Sequence, residues 1–365
     1  MKLTREQYFR IWLAGVENIG PRRYGALIER YGSAEAVWEN FGESMKWVGN
    51  AAWRSMSEAR DRKKASVLLE KIAKVGADVI FKDDAGYPPW LKVLDDAPPL
   101  LYVKGQTDCS DGMCVSIVGT RAASEYGLRM TRAIAGELAS TGTTVVSGFA
   151  RGIDSAAHEA ALDARGRTIA VFACGVDVVY PPENGALYER LLSSGGSVLS
   201  EYPPGMIPRG GQFPARNRII SGMSRGTLIV EGKWRSGAKI TAGCAAEQGR
   251  EVFVLPGRAD EESSELPNRL ARDGARIVLG AADILEDLSY PNKQCAEQTR
   301  IEQLQPDGNG AGSPAFADND DERTRVLAAY SSGVTDADDI VERTGLDAAT
   351  VNTVLTMLLI EGIIQ

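Results

Sequence analysis

Two arginines flank an asparagine within residues 213–230 (FPARNRIISGMSRGTLIV), a stretch that follows a Pro/Gly-rich loop and ends in a strongly apolar run. Pro214 favours a first-turn conformation and a helical pattern begins at Arg218, so the stretch predicts a helix that starts near these side chains. Arg216, Asn217 and Arg218 would then lie beside the unpaired N–H groups and partial positive charge of a helix N-terminus. Two permanent cations at such a terminus predict an anion site suited to phosphate.

The charge around this stretch has the sign that a polyanion requires. The formal net charge of the whole chain is -8. Residues 205–250, however, carry eight Lys/Arg against two Asp/Glu, a net charge of +6. Residues 291–322 carry two Lys/Arg against seven Asp/Glu, a net charge of −5. The chain therefore has a basic middle and an acidic segment toward its C-terminus, and Phe213 adds a flat aromatic face for a base.

Strands and helices alternate with short connections from about residue 114 to 288. Apolar runs predict strands at residues 114–118, 144–147, 168–173, 197–200, 227–230 and 252–255. The segments between them predict helices at residues 127–140, 156–164, 186–193 and 240–248. Uniformly apolar strands that alternate with helices predict an α/β fold, with a parallel sheet covered on both faces.

Glycine-rich loops follow the first two of these strands, at the edge of the sheet where such folds bind ligands. Gly119-Thr120-Arg121 follows the first strand, and Ser147-Gly148-Phe149-Ala150-Arg151-Gly152 follows the second. Glycines let backbone N–H groups approach a ligand, and the arginines add positive charge. Neither loop is a G-x-G-x-x-G or a G-x-x-x-x-G-K-[ST] sequence, so we expect no dinucleotide cofactor and no P-loop ATP hydrolysis.

Ser147, Asp154 and His158 have the residue types of a hydrolytic triad. His158 is the single histidine of the chain and follows Asp154 by about one helical turn. We therefore favour a structural role, in which His158 hydrogen-bonds and fixes the glycine loop, and we interpret Asp154 as a helix N-cap. Arg151 has two alternatives, a ligand contact or an internal ion pair with a carboxylate such as Glu201. We expect no catalytic residue and no enzymatic activity.

The composition, 44% hydrophobic and 25% charged over 365 residues, is typical of a soluble globular protein with two or three domains. No apolar run approaches the roughly 20 residues that span a bilayer, and the first residues (MKLTREQYFRIW) lack a signal-peptide core. We expect a cytoplasmic protein without membrane contact. The cysteines are odd in number and scattered, which predicts free thiols and no metal site. They are Cys109, Cys114, Cys174, Cys244 and Cys295.

Helical patterns fill most of residues 1–86 and predict a small N-terminal domain. Its turn at residues 16–23 (VENIGPRR) resembles a helix-hairpin-helix in which Asn18 replaces the first glycine. We favour a packing turn over a DNA contact there. Residues 291–321 are poor in apolar side chains and predict a flexible acidic linker.

Three short helices are predicted near the C-terminus, at residues 323–330, 336–344 and 347–359, a pattern typical of a helix-turn-helix. Residues 361–364 would begin the wing of a winged helix. The third helix contains neither Lys nor Arg. Because phosphate contacts supply much of the affinity for duplex DNA, we favour packing or protein contact for residues 322–365 over duplex recognition.

Several long motifs carry a family resemblance. SIVGTRAASEYG, VVSGFARGIDSAAHEAAL, TIAVFACGVDVVYPPEN, LSEYPPG, FPARNRIISGMS and GREVFVLPG occur in this order within residues 90–288. Together they resemble the DNA-processing protein A family, also called DprA or Smf. The resemblance implies an extended Rossmann-like parallel-sheet domain at residues 87–290 that binds single-stranded DNA without sequence specificity. It also implies a SAM-like or helix-hairpin-helix-like domain before it and a winged-helix-like domain after it.

The same resemblance implies what the protein works with. Family members load the RecA recombinase onto single-stranded DNA, notably in natural transformation, and are not known for covalent chemistry. We therefore expect single-stranded DNA and RecA as partners, single-strand-binding protein as a further candidate, and a homodimer formed around Leu266 and Leu270. The predicted DNA-binding residues are Gly119, Thr120, Arg121, Ser147, Gly148, Arg151, Gly152, Phe213, Arg216, Asn217, Arg218 and Lys239.

Two other functions stay open. Rossmann-like phosphoribohydrolases that cleave nucleotides carry a Pro-Gly-Gly-x-Gly-Thr loop followed by Glu. Pro256-Gly257-Arg258 lacks this loop, which disfavours that class of enzyme. A duplex-binding winged-helix regulator is the second alternative, and it would act through the residues after Asp321.

Overall fold

A computed structural model describes residues 3–106 and 112–289, and toward the C-terminus residues 325–330, 337–346, 350–351, 354–355 and 358. The chain divides into two compact units, Met1–Lys293 and Gln294–Gln365. None of the helices in the described ranges is both long and apolar enough to cross a membrane.

Residues 5–74 are mostly helical, as predicted. The helices are α1 (Arg5–Ala14), α2 (Pro21–Tyr31), α3 (Ala34–Glu39), α4 (Asn50–Ala59) and α5 (Arg62–Lys74), with a 3-10 helix at Glu43–Val48. Leu13, Leu27 and Val37 are fully buried in their shared core. In the turn before α2, Arg23 Nη1 donates to the Asn18 carbonyl over 2.9 Å and Asn18 Nδ2 donates to Ser55 Oγ over 3.1 Å. Asn18 and Arg23 thus form hydrogen bonds within the helical region itself.

The described residues contain one nine-stranded sheet, in the order β1-β2-β6-β5-β4-β3-β7-β8-β9. The strands are β1 (Asp78–Phe81), β2 (Leu100–Gly105), β3 (Cys114–Val118), β4 (Thr144–Ser147), β5 (Thr168–Val171), β6 (Ser197–Ser200), β7 (Gly226–Ile229), β8 (Glu251–Val254) and β9 (Arg276–Ile277). The pairs β1–β2 and β2–β6 are antiparallel, and all the others are parallel.

The six predicted strands are β3 to β8, and each end lies within two residues of its predicted position. β1, β2 and β9 were not predicted. β1 lies within residues 1–86, which were predicted as a helical domain, and it extends the sheet by pairing with β2. β2 follows Pro98 and Pro99 directly and lies before residue 114, where the predicted alternation of strands and helices begins.

Helices cover both faces of the parallel part of the sheet, which confirms the predicted α/β fold. They are α6 (Pro89–Lys92), α7 (Glu125–Ser140), α8 (Ile153–Asp163), α9 (Gly185–Ser193), α10 (Gln212–Gly222), α11 (Gly237–Glu247), α12 (Glu265–Arg272) and α13 (Ala281–Ser289). Val115 and Ile117 of β3 pack in the core formed with α7 and α8. Val118 packs in the core formed with α10 and α11.

Between β3 and β9 the chain reverses its direction of travel across the sheet once. From β3 it proceeds through β4 and β5 to β6, and α10 then carries it back to β7, on the other side of β3. β3 and β7 are therefore neighbours whose following loops diverge to opposite faces. A crevice opens at such a switch point, outside the carboxyl ends of the strands, and it is the usual ligand site of this architecture.

In the C-terminal unit, residues 325–330 are helical and α14 spans Ala337–Thr344. Val326, Ile340 and Val351 are fully buried in a separate small core. The predicted acidic linker, most of the third predicted helix and the predicted start of the wing lie outside the described residues, as do Cys109 and Cys295. Cys114, Cys174 and Cys244 are free thiols, as predicted.

Candidate nucleic-acid interface

A cavity of about 440 Å³ lies at the carboxyl ends of β3 and β7. We call it the switch-point cavity. The loops after both strands and the first turns of α10 and α11 form its walls, and its lining includes Gly119, Thr120, Arg121, Phe213, Lys233 and Arg235. Arg121, Lys233 and Arg235 are exposed. The opening therefore presents three cations to solvent, in a cavity of the size that small ligands or single nucleotides occupy.

A buried carboxylate holds the loop that carries Thr120 and Arg121. Glu231, only 2% exposed, follows β7. Its side chain accepts hydrogen bonds from Ser124 N over 2.9 Å and from Ser124 Oγ over 2.5 Å, at the first turn of α7. Its backbone carbonyl accepts from Thr120 N over 2.8 Å. The loops of the two switch-point strands are thus bonded to each other, and the helix N-terminus compensates the buried negative charge.

Arg216 lies beneath the cavity and does not extend from it. The side chain is 5% exposed, and its Nη1 donates to the Gly148 carbonyl over 2.6 Å and to the Val171 carbonyl. Burial lowers the pKa of Arg216 to about 10, so the guanidinium stays charged at neutral pH. It adds positive potential to the floor of the cavity, so that a phosphate would interact with this buried charge as well as with the exposed cations at the opening.

Glycine is required at two positions of the loop after β4 because other groups occupy the space of a side chain. A Cβ on Gly148 would lie 2.6 Å from Arg216 Nη1. Gly152 has a φ of +74°, and a Cβ there would lie 2.4 Å from the Thr120 carbonyl oxygen. These two glycines let the loop pack against both Arg216 and the Thr120 loop.

Asp154 is not the helix N-cap that the sequence predicted. The N-cap of α8 is Gly152, and Asp154 is the second residue of the helix. The carboxylate is buried and accepts hydrogen bonds from Gly148 N over 3.1 Å and Ala150 N over 3.3 Å. Burial raises the pKa of Asp154, although the nearby Arg216 opposes that rise. Asp154 therefore fixes the glycine loop, a role that the sequence had suggested for His158.

The start of α10 also differs from the prediction. The helix begins at Gln212, so Pro214 lies in its first turn, where a missing N–H costs no intrahelical hydrogen bond. Arg216, Asn217 and Arg218 consequently lie in the second turn and not beside the free N–H groups. Asn217 Nδ2 donates to the Gly237 carbonyl over 3.2 Å and joins α10 to the start of α11.

Arg218 points away from the switch-point cavity. Its Nη2 lies 2.5 Å from Glu201 Oε2, and its Nη1 donates to the Asp96 carbonyl over 2.6 Å. Both side chains of the ion pair are 14% exposed. Glu201 had been named as a candidate partner for Arg151, and this pairing is wrong, because Arg151 pairs with Glu183.

An aromatic pair stands at the rim of the cavity. The rings of Phe213 and Tyr180 are 5.7 Å apart between centroids, and Arg121 Cζ lies 5.6 Å from the centroid of Phe213. Tyr180 is 38% exposed. Arg121, Arg151, Tyr180 and Phe213 all line a second, small cavity beside the first. Phe213 is half-buried. Solvent-accessible rings flanked by guanidinium groups match the stacking surfaces of proteins that bind single-stranded nucleic acid.

Sequence reasoning missed three residues at this edge, Tyr180, Lys233 and Arg235. Tyr180 stands in the motif that follows β5, and both cations stand in the loop after β7 (EGKWRSG). The signal was present, because each loop follows a predicted strand at its carboxyl end. Lys239, which was predicted, is instead stacked over Trp234, with Nζ 3.6 Å from the ring centroid.

The residues of the considered triad are directed elsewhere. Ser147 Oγ donates to the Ile117 carbonyl over 2.6 Å. Thr168 Oγ1 donates to the Val145 carbonyl over 2.8 Å, so His158 Nδ1, 2.7 Å from Thr168 Oγ1, must be the donor in that contact. The fully buried His158 is thus a neutral structural residue bonded to β5, and its Nε2 has no hydrogen-bond partner.

This domain is a doubly wound α/β domain whose switch point carries cations, aromatic rings and glycine loops, the class that binds nucleotides or nucleic acids. The family model described as DNA recombination-mediator protein A matches residues 78–289, and one described as DprA winged helix domain matches residues 311–365. The chain belongs to the DNA recombination-mediator protein A family, and the resemblance found in its motifs is confirmed.

Named relatives agree with this assignment. The chain is 39% identical over 284 residues to Protein Smf of Escherichia coli, which covers 78% of this chain and 74% of the relative. It is 43% identical over 231 residues to DNA processing protein DprA of Bacillus subtilis, which covers 63% and 77% respectively.

Solved structures agree as well. The X-ray structure of DNA processing protein A from Streptococcus pneumoniae matches with a TM-score of 0.67 and 34% identity, over 80% of this chain and 100% of that one. A structure of DNA processing protein A from Helicobacter pylori, described as giving insights into its unique single-stranded DNA binding mode, matches with a TM-score of 0.52 and 32% identity. That match covers 58% of this chain and 95% of that one.

The environment of His158 predicts a specific pH dependence of stability. Burial, reinforced by the Arg216 charge, lowers the pKa of His158 to about 3. The unfolded chain takes up a proton near pH 6.5 and the folded chain does not, so the free energy of unfolding should fall by up to about 1.4 kcal/mol per pH unit below pH 6.5. Urea unfolding at pH 7, 6 and 5 measures this slope.

A matched variant isolates the histidine. His158→Asn keeps a donor toward Thr168 and removes the titrating ring. The slope of its free energy of unfolding against pH, between pH 6.5 and 5, should therefore be smaller than that of the wild type by the equivalent of about one bound proton. Because the chain has a single histidine, its ring proton resonance can be followed directly. A ring that titrates near pH 6.5 in the folded protein would refute the buried neutral assignment.

Proposed function

We propose that this chain binds single-stranded DNA without sequence specificity across the switch-point cavity and loads the RecA recombinase onto it, as in the recombination that follows DNA uptake. One observation carries the proposal. Three exposed cations, Arg121, Lys233 and Arg235, share one edge of the sheet with the rings of Phe213 and Tyr180. The described binding of single-stranded DNA by the Helicobacter pylori relative supports it.

The geometry favours a single strand over a duplex. A base can stack on Phe213 or Tyr180 only if its own face is free, which duplex stacking prevents. The cations supply phosphate contacts that do not depend on the sequence of bases. Gly119 and Gly148 let the loops after β3 and β4 pack directly against Ile153 and Arg216, which holds this edge of the cavity in place. Ser147 and Gly152 contribute to the same loop.

The proposed role is to bind and transfer, with no reaction carried out by the chain itself. Ser147 and His158 are each bonded to other strands, and Asp154 is used by the glycine loop. In the place of a phosphoribohydrolase loop, Gly257 exchanges two hydrogen bonds with the Asn268 side chain, over 3.3 and 3.1 Å. A protein that only binds must hand the strand to a partner that supplies energy, and RecA, with single-strand-binding protein as the competitor on DNA, fits that requirement.

Replacement of Arg121 tests the DNA site. Arg121→Ala should weaken binding of a labelled oligothymidylate about tenfold and make the slope of log affinity against log salt shallower by about 0.7. Arg190→Ala is the matched control, because Arg190 is exposed and pairs with Asp163 at the end of α8, away from the cavity. Anisotropy titrations at two salt concentrations, with duplex of the same length for comparison, give both quantities. Equal affinity for duplex, or an unchanged Arg121→Ala variant, would refute the site.

A second experiment tests the transfer to RecA. Full-length protein should shorten the lag of DNA-dependent ATP hydrolysis by RecA on strands coated with single-strand-binding protein, and Arg121→Ala should not. The protein alone should hydrolyse no ATP. If the lag is unchanged at concentrations that saturate the DNA, the loading function is wrong, although DNA binding would stand.

The proposed homodimer needs a surface different from the one that the sequence suggested. Leu266 is fully buried in the core with α10 and α11, and Leu270 packs against the same core, so neither forms a free apolar surface. At β9, which pairs only with β8 among the described strands, Ile277 is 58% exposed and Leu279 is 70% exposed. An exposed apolar edge strand is a ready surface for symmetric pairing.

The dimer prediction follows from this edge. Ile277→Lys combined with Leu279→Glu should convert a dimer at micromolar concentration into a monomer without loss of thermal stability, measured by light scattering and by thermal unfolding. Ile207→Glu, at an equally exposed position (62%) outside the edge, is the control and should leave the dimer intact. A monomeric wild-type protein at this concentration would contradict the prediction.

A further inference from the structure

The cations around the switch-point cavity fall into two groups. Within residues 3–106 and 112–289, Arg121 and Arg235 form no ion pair, and the Arg121 guanidinium lies over an aromatic ring. Arg151 and Lys233 are each paired with a carboxylate from another loop. A strand that binds has to displace a carboxylate before it can contact the cations of the second group.

The first pair stands beside the aromatic rim. Arg151 Nε is bonded to Glu183 Oε1, and the two side chains are 53% and 50% exposed. Glu183 belongs to the 3-10 helix Pro182–Asn184, which directly follows Tyr180 and Pro181 in the wall of the small cavity. The hydrogen bond between them raises the pKa of Arg151 and lowers that of Glu183, so both groups are charged at neutral pH.

The second pair comes from the loop after β7. Lys233 Nζ lies 2.6 Å from Glu262 Oε2, and the side chains are 60% and 70% exposed. Lys233 lines the switch-point cavity. Glu262 begins a 3-10 helix whose Ser263 carbonyl accepts a hydrogen bond from Gly232 N over 2.6 Å, so the acidic loop is anchored next to the lysine.

Such pairs can be broken by a phosphate. An exposed ion pair is weak, because solvent screens the attraction and two long side chains lose freedom in forming it. A phosphate offers the same cation another anionic acceptor, and its binding also releases counterions from the DNA, which a carboxylate of the protein does not do. The freed carboxylate then stays near the polyanion and repels it.

On the basis of the proposed function, we propose that Glu183 and Glu262 are competing anionic ligands of the DNA site, which occupy Arg151 and Lys233 until a phosphate of the strand displaces them. They set the affinity for single-stranded DNA and the rate at which a strand dissociates. The carboxylates make binding weaker and exchange faster than the cations alone would allow, which suits a protein that gives its strand to another.

Neutral replacements of the two acids test the proposal. Glu183→Gln and Glu262→Gln should each tighten the binding of a labelled oligothymidylate about fivefold at low salt and slow its dissociation, with the gain shrinking as salt rises. Asp163→Asn is the matched control, because Asp163 forms an equally exposed pair with Arg190 away from the cavity, 2.6 Å between the charged atoms. It should leave affinity unchanged.

A double-mutant cycle separates competition from general repulsion. If Glu183 competes for Arg151, then Arg151→Ala costs more affinity in the Glu183→Gln background than in the wild type, because only the wild type has to break the ion pair. If Glu183→Gln tightens binding equally with and without Arg151, the carboxylate acts only through its long-range charge and the proposal is wrong. If wild-type binding and its loss in Arg121→Ala are both observed while neither glutamine variant tightens binding, competition fails and the DNA site stands.

Discussion

The buried charge of Arg216 is the constraint on which the rest of the switch point depends. Its guanidinium joins the ends of two strands, because it donates hydrogen bonds to the carbonyl of Gly148 after β4 and to that of Val171 at the end of β5. A charge removed from water is costly unless hydrogen bonds and an opposite charge compensate it, and the buried carboxylate of Asp154, in the first turn of α8, lies near enough to Arg216 to interact with it electrostatically. Removing either partner would leave the other buried and uncompensated, so the loop, the two strand ends and α10 are held as one unit.

Several features that look independent in the sequence follow from this unit. Gly148 has to lack a side chain because the guanidinium fills that space. Asp154, the second residue of α8, accepts hydrogen bonds from the N–H groups of the loop that precedes the helix. His158 is neutral partly because a fixed cation lies near it. The run SGFARGIDSAAH therefore contains several residues whose type depends on the one buried arginine. The exposed Arg121 belongs to the neighbouring loop, which Glu231 holds in place.

The sequence was sufficient to predict the bounds of the strands near the switch point, but it was insufficient to predict the direction in which their neighbouring side chains point. β3, β4 and β6 match their predicted bounds because short apolar runs between glycines and helical segments leave no other interpretation. Arg216 and Arg218 were both placed at the cavity, yet residues two apart on a helix point about 200° away from each other. One therefore faces the sheet, and the other faces Glu201 and Asp96. No local pattern could name Glu201 as its partner, since that contact depends on how β6 and α10 pack.

The net negative charge of the chain is compatible with a site for a polyanion because fields at physiological salt decay over about 8 Å. Charges in the acidic segment at residues 291–322 act at the site only when they lie within that distance, whereas Arg121, Lys233 and Arg235 share one cavity lining. The affinity for a polyanion is then set by a small number of local charges. Each acid that pairs with one of them affects this affinity more than the net charge of the chain does. A site built from many unpaired cations would bind a strand tightly and release it slowly. A site in which cations alternate between carboxylates and phosphates has a lower barrier to release, because a new partner for each cation is already within reach when the phosphate leaves.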